Sequence, residues 1–424
     1  MNALTMPAED QTTGQEAGSR GRRRRAPWIA LVIAGLALQT VTSRYLAITG
    51  DERGVAAVAG AFLRHGSRSP NAPGTDWVSH SPAGILVHIV FGAARWLGPP
   101  GRGGRVLMFL LMCCGVLLLA ISLSHAVSER SAFWFVASYW LSPWVMYHGL
   151  QAWEPGIAME CGAAALAASL ILSKRKDAVA SGALFLAIMV AFQMHGQFAI
   201  LVLSTAILAI RRRIRIHPLG AVVGILIGSI TILPPVSSRP FTPVQNVSSS
   251  EHPDARPFFG LSQGYPLLRA VGFWVRASSP EMNRQMRENR FFGPLRANAS
   301  LPERIRFGAV AGIIVLSLAA VIASFVANWW FFTRPLDAAN EPQQAWLKAY
   351  AGASFLSVLI AAAASPVCIQ GWYVAIALPA AALPFGAWCE RMWERGPASA
   401  RALVAGLFVL RALSIILIAL GYQP

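Results

Sequence analysis

Apolar stretches recur along nearly the whole chain, at about 28–49, 82–98, 105–125, 131–150, 155–172, 178–194, 197–210, 219–236, 308–333, 345–364, 369–389 and 402–421. A helix of about 20 such residues crosses a hydrocarbon core of about 30 Å. In lipid every backbone N–H and C=O must find a partner inside the protein, so only helices and closed barrels can span. Barrel strands alternate polar and apolar residues, whereas these runs are continuous. The sequence therefore predicts an all-α, polytopic helical membrane protein. Composition agrees, with 55% hydrophobic and only 13% charged residues, against roughly a quarter charged in soluble domains. A soluble enzyme, a disordered chain and a secreted disulfide scaffold are excluded.

The formal net charge is +17, from 36 Lys and Arg against 19 Asp and Glu. The basic residues form short clusters between apolar runs, as expected of cytoplasmic loops. They show no aromatic interleaving and no zinc-finger spacing, so nucleic acid is not an expected partner. The five cysteines, Cys113, Cys114, Cys161, Cys368 and Cys389, lie in or beside apolar runs without metal-ligand spacing. They read as packing residues. No metal site is predicted, and a divalent metal is left open as a cofactor. Residues 1–26 are polar and end in Arg22–Arg25; they read as a disordered basic cytoplasmic tail ahead of an uncleaved first span. Residues 27–424 read as one transmembrane domain.

Charge also sets the topology. If all twelve stretches crossed, Lys174–Lys176 and Arg211–Arg215 would both lie outside, against the positive-inside rule. The stretch 82–98 is the weakest, with His88 and Arg95 within it and Gly98-Pro99-Pro100-Gly101 at its end. Read as an interfacial helix, it flips the parity, and every short basic loop falls inside. This gives about eleven spans with the N-terminus inside. The first outer loop is then 50–104 with its interfacial helix, and a second long outer loop covers 237–306. That second loop carries ten Arg against five acids. Residues 178–210 read as two short helices meeting at His195-Gly196.

The same parity gathers a set of polar residues on the outer face. Asp51 is the first candidate for a general base, with Glu52 to orient or bind and Arg53 to meet a phosphate. Glu154, opening a span before Pro155, reads either as a helix N-terminal acid or as a second carboxylate. His80 and His195 can reach the same face. Gln370, Trp372 and Tyr373 read as an interfacial belt or as a surface that stacks on sugar.

Several short motifs lie in a familiar order. They are Asp51-Glu52 after the first span, His80-Ser81-Pro82-Ala83-Gly84 and Ser142-Pro143-Trp144-Val145-Met146-Tyr147-His148. Glu154-Pro155, His195-Gly196 and Trp372-Tyr373-Val374-Ala375-Ile376-Ala377-Leu378-Pro379-Ala380 follow. In this order the chain resembles the GT-C superfamily of polyprenyl-phosphate-sugar-dependent glycosyltransferases. It is most similar to the branch of protein O-mannosyltransferases and lipid A aminoarabinose transferases. The resemblance implies a GT-C-like fold and inverting transfer from a polyprenyl-phosphate sugar to a lipid, glycan or protein acceptor. It further implies a periplasmic active site in a bacterial inner membrane, with Asp51 as catalytic base and Glu154 as its partner. Two other classes fit the composition: a lipid or sugar transporter, and a catalytically silent protein of cell-envelope assembly.

Overall fold

The computed structural model describes residues 12–46, 48, 50–65, 86–99, 102–232, 264–276, 300–335, 341–365 and 371–420. For some of them, residues 12–25, Asp51 and Trp372 included, only the backbone is described. Among the described residues all regular structure is helical, apart from one isolated bridge between Asp177 and Ile216.

Helix α1 (Thr12–Tyr45) carries the first span and is followed by α2 (Gly50–His65). The helix thus begins inside the stretch read as a polar tail, where Arg22–Arg25 are good helix formers. Next come the short α3 (Leu86–Ala93) with a 3₁₀ turn over Ala94–Leu97, and α4 (Arg102–Ala126). Eight residues of helix rise only about 12 Å, so 82–98 holds no spanning helix among its described residues. The stretch 131–150 departs from the single span expected of it. It divides into α5 (Glu129–Trp140) and α6 (Pro143–Leu150), because Pro143 lacks the N–H and crowds the preceding turn.

Helix α7 (Glu154–Lys174) has Glu154 in its first turn and Lys174 in its last, the arrangement its dipole favours. Helices α8 (Ala178–Met194) and α9 (Phe198–Ile210) meet at His195-Gly196, as the sequence predicts. Helix α10 (Pro218–Ser229) lies against α8 so closely that a Cβ at Gly220 or Gly224 would strike the carbonyls of Ala178 or Gly182. Small residues four apart allow helix backbones in a membrane to approach in this way.

Helix α11 (Gly264–Arg276) lies within the expected outer loop, yet Ala270, Phe273, Trp274 and Val275 are buried. Trp274 Nε1 donates to Asn328 Oδ1 at 3.0 Å, and its ring meets Phe355 at 5.1 Å. These partners belong to α12 (Leu301–Thr333) and α13 (Glu341–Ala364). A 3₁₀ segment, Gly371–Ala377, leads into α14 (Leu378–Arg395), and α15 (Ala398–Ala419) completes the described chain.

Among the described residues seven helices are long and apolar enough to cross a membrane: α4, α7, α12, α13, α15, the apolar part of α1, and α14 with its 3₁₀ lead-in. The three shorter apolar helices α8, α9 and α10 accompany them. The chain is a multi-pass helical membrane protein.

Contacts distinguish the two ends of the bundle. At one end Lys174 Nζ donates to the His125 carbonyl (3.1 Å), Arg215 N to the Leu172 carbonyl (2.9 Å) and Trp346 Nε1 to the Arg213 carbonyl (3.1 Å). Arg130 pairs with Glu394 at 2.8 Å at this same end, and Ser131 donates to Glu390. The short basic loops thus converge on one end of the bundle. The starts of α4 and α7 and the His195 turn lie at the other.

Candidate functional site

The start of α2 puts Asp51 and Glu52 in the first turn of a helix, where carboxylates are favoured. Glu52 is 1% exposed. Its Oε1 and Oε2 accept from Arg105 Nε at 3.0 Å and Nη2 at 2.8 Å. Arg105 Nη1 also donates to the Leu46 carbonyl, and the Ala152 N–H donates to Glu52 Oε1 at 2.9 Å. A charge can be buried this deeply because a fork of donors and a backbone amide satisfy it. One carboxylate therefore ties the end of α1, the start of α4 and the connection from α6 to α7. Asp51 precedes Glu52, and Glu154 lies two residues beyond Ala152. The backbones carrying both predicted carboxylates are held at the same end of the bundle.

Glu154 is itself buried, with Pro155 behind it in the first turn of α7. The segment before it is aromatic and tightly seated. His148 stacks on Trp144 (centroids 4.9 Å apart) and on Trp153 (5.9 Å), and Trp153 Nε1 donates to the His148 carbonyl at 3.4 Å.

A second pair forms where α8 turns into α9. The His195 ring meets Tyr373 at 5.3 Å, tilted by 38°. Gln197 Oε1 accepts from the Ile376 N–H at 2.8 Å, fastening the turn to the 371–377 segment. The Gln197 N–H donates to His195 Nδ1 at 3.3 Å. The protein atoms packed around the half-buried His195 disfavour its charged form and hold its pKa down to about 4. The 371–377 segment also packs on α6 and α7, the elements that carry His148 and Glu154.

The structure joins Glu52 to the Glu154 segment, and His195 to Tyr373. Arg53 stands apart from both pairs; it is exposed and donates to the Ile48 carbonyl at 3.3 Å. His80 and Gln370 lie outside the described residues. Asp51 and Trp372 are placed by their backbones alone, in α2 and in the 371–377 segment. Among the described residues no three His, Cys, Asp or Glu side chains converge as a metal site. A cavity of about 360 Å³ lined by Arg130, Arg334, Glu390 and Arg391 opens at the basic end. It lies away from all these groups.

Sequence reasoning did not select Arg105, His148 or Gln151. Arg105 could have been found by asking which cation at the head of a span can neutralise an acid at the foot of another. His148 and Gln151 carry no comparable signal, since one reads as part of a motif and the other as a loop amide.

No protein-family profile and no curated protein sequence matches the chain. Among solved structures it is similar to ArnT from Cupriavidus metallidurans, in a crystal structure bound to undecaprenyl phosphate. The identity is 14%, with 94% of this chain and 75% of that chain covered, at a TM-score of 0.48.

Proposed function

We propose that the chain is a membrane glycosyltransferase of the GT-C kind. It transfers a sugar from a polyprenyl-phosphate donor to a lipid, glycan or protein acceptor, at the periplasmic face of a bacterial inner membrane. The observation that carries this reading is the Glu52–Ala152 hydrogen bond, which holds the backbone of Asp51 beside the segment leading to Glu154.

In this account Asp51 accepts the proton of an acceptor hydroxyl as that oxygen attacks the anomeric carbon. The bond from the anomeric carbon to the lipid phosphate oxygen breaks on the opposite face, and the configuration inverts. The lipid phosphate leaves with the electron pair and needs little acid assistance. Glu154 polarises the acceptor or holds sugar hydroxyls, and Glu52 orients Asp51 through its own fixed pairing. Arg53 lends charge to the phosphate at the interface. His80, His195, Gln370, Trp372 and Tyr373 line the approach of the substrates.

Transport of a lipid or sugar is the rival reading. It draws on Arg411, buried within α15 where it donates to the Ser138 carbonyl at 2.9 Å, because charges inside spans often mark a pathway. One experiment separates the two. Purified chain in liposomes is given undecaprenyl phosphate carrying a labelled sugar. Release of undecaprenyl phosphate with transfer of label supports the transferase, whereas movement of intact donor between leaflets without cleavage supports transport.

A further inference from the structure

Three polar side chains just ahead of Glu154 are buried with no hydrogen-bond partner among the described residues. Gln151 is 1% exposed, and neither Oε1 nor Nε2 is engaged. His148 is 2% exposed, and neither Nδ1 nor Nε2 is engaged. Trp144 Nε1 is in the same condition. Folded proteins pair nearly all buried polar groups, and each exception calls for a missing partner. Left alone, such groups carry their whole desolvation penalty. Several of them within one two-turn helix and its C-cap mark a place that calls for a partner.

The groups are also held rigidly. The His148 ring stacks on two indoles, at 4.9 Å and 5.9 Å. Beneath it, a Cβ at Gly156 would press on the carbonyls of His148 (2.9 Å) and Gln151 (3.1 Å). Rings that cannot turn away, with open polar edges, are preorganised for a ligand. The chemistry of those edges narrows the ligand class. A carboxamide supplies two N–H donors and an acceptor, an imidazole one donor and one acceptor, and an indole one donor. Such a set matches hydroxyl groups. Phosphate recognition draws on guanidinium or ammonium groups, and Arg105 nearby is engaged with Glu52.

We propose that Gln151, His148 and Trp144 form the subsite for the hydroxyls of a sugar, the glycosyl end of the lipid-linked donor. The proposal rests on the glycosyltransferase reading above and assigns within it the residues that recognise the sugar.

The test uses the full chain in phosphatidylcholine nanodiscs and reads lipid binding by native mass spectrometry. The probes are undecaprenyl phosphate alone and a panel of undecaprenyl phosphates bearing single hexoses or aminosugars. Gln151→Met and His148→Phe preserve volume and stacking while deleting the open polar edge. Trp144→Phe keeps a ring and serves if either of those fails to fold. The expected result has three parts. Bare undecaprenyl phosphate binds wild type and variants alike. The sugar-bearing lipid that wild type prefers binds the variants at least tenfold more weakly. Melting temperatures stay the same or rise, since each variant removes an unpaired group. Equal affinity of wild type and variants for that lipid overturns the subsite and leaves the glycosyltransferase reading standing. A fall in melting temperature with unchanged affinity assigns these side chains to an internal water-bridged network and overturns it too. Wild type that binds neither lipid overturns the underlying reading, and the subsite with it.

Discussion

Glu52 and Ala152, one hundred residues apart in the chain, are joined by a 2.9 Å hydrogen bond from the Ala152 amide to a carboxylate that Arg105 also holds. Both side chains of that ion pair are almost wholly enclosed, at 5% and 0% exposure for Arg105 and Glu52. Glu52→Gln or Arg105→Met removes one side of this buried ion pair. Loss of one partner of a buried pair costs about 3–5 kcal/mol. Thermal unfolding followed by size-exclusion in detergent is expected to show either single variant markedly less stable than wild type. The double variant is expected to recover part of that loss.

His195 gives the structure a pH dependence of definite sign. Its folded-state pKa, about 4, lies below the ordinary histidine value of about 6.5. Between those two values the unfolded chain binds a proton that the folded chain does not. Stability therefore rises with pH through that window and is lost as pH falls from about 6.5 toward 4. His195→Phe keeps a ring against Tyr373 and removes the titration. Its melting temperature is expected to fall less than that of wild type between pH 7.5 and pH 5.

The contact of α8 with α10 depends on the absence of side chains. Gly224 faces the Gly182 carbonyl with no room for a Cβ, so Gly224→Leu must push the helices apart. Overpacking of this kind costs about 1–3 kcal/mol. Gly196 is the control, since no atom of the described residues lies within 4 Å of a Cβ there. Gly196→Ala is expected to melt like wild type, and Gly224→Leu well below it.

These elements show how far the sequence alone could go. Lys174–Lys176, Arg211–Arg215 and Glu390–Arg401 were assignable to one end because charge near a membrane obeys a sidedness rule that needs no tertiary knowledge. The break at His195-Gly196 was readable for a similar reason, as polar groups interrupt an otherwise apolar run. Pro143 divides a stretch that hydropathy joins, because hydropathy does not register a missing N–H. Residues 264–276 looked like outer loop, although Phe273 and Trp274 have partners on helices far along the chain. In the candidate site, Asp51, Glu52 and Glu154 drew notice as rare acids on one face. The partner that allows Glu52 to be buried lies 53 residues away, and pairing at that separation leaves no periodic trace. Gln151 and His148 are marked only by their unpaired edges, which appear once the chain is folded.

Sidedness can be checked without any enzymatic assay. In a background with all five cysteines replaced, Gly196→Cys and Lys176→Cys report on opposite ends of the bundle. A membrane-impermeant maleimide applied to intact spheroplasts is expected to label Gly196→Cys and leave Lys176→Cys unlabelled until the cells are lysed. The reverse pattern places the site on the cytoplasmic face.

The central claim is that Asp51 removes a proton from the acceptor as the sugar leaves its lipid phosphate. The most direct measurement is the rate of undecaprenyl phosphate release from labelled donor and acceptor by wild type and by Asp51→Asn, each shown to be folded and to bind donor. A positioned general base contributes about 10²–10⁴ in rate. The account predicts a loss of that size in Asp51→Asn with donor binding intact. Asp51→Asn turning over at the wild-type rate contradicts it.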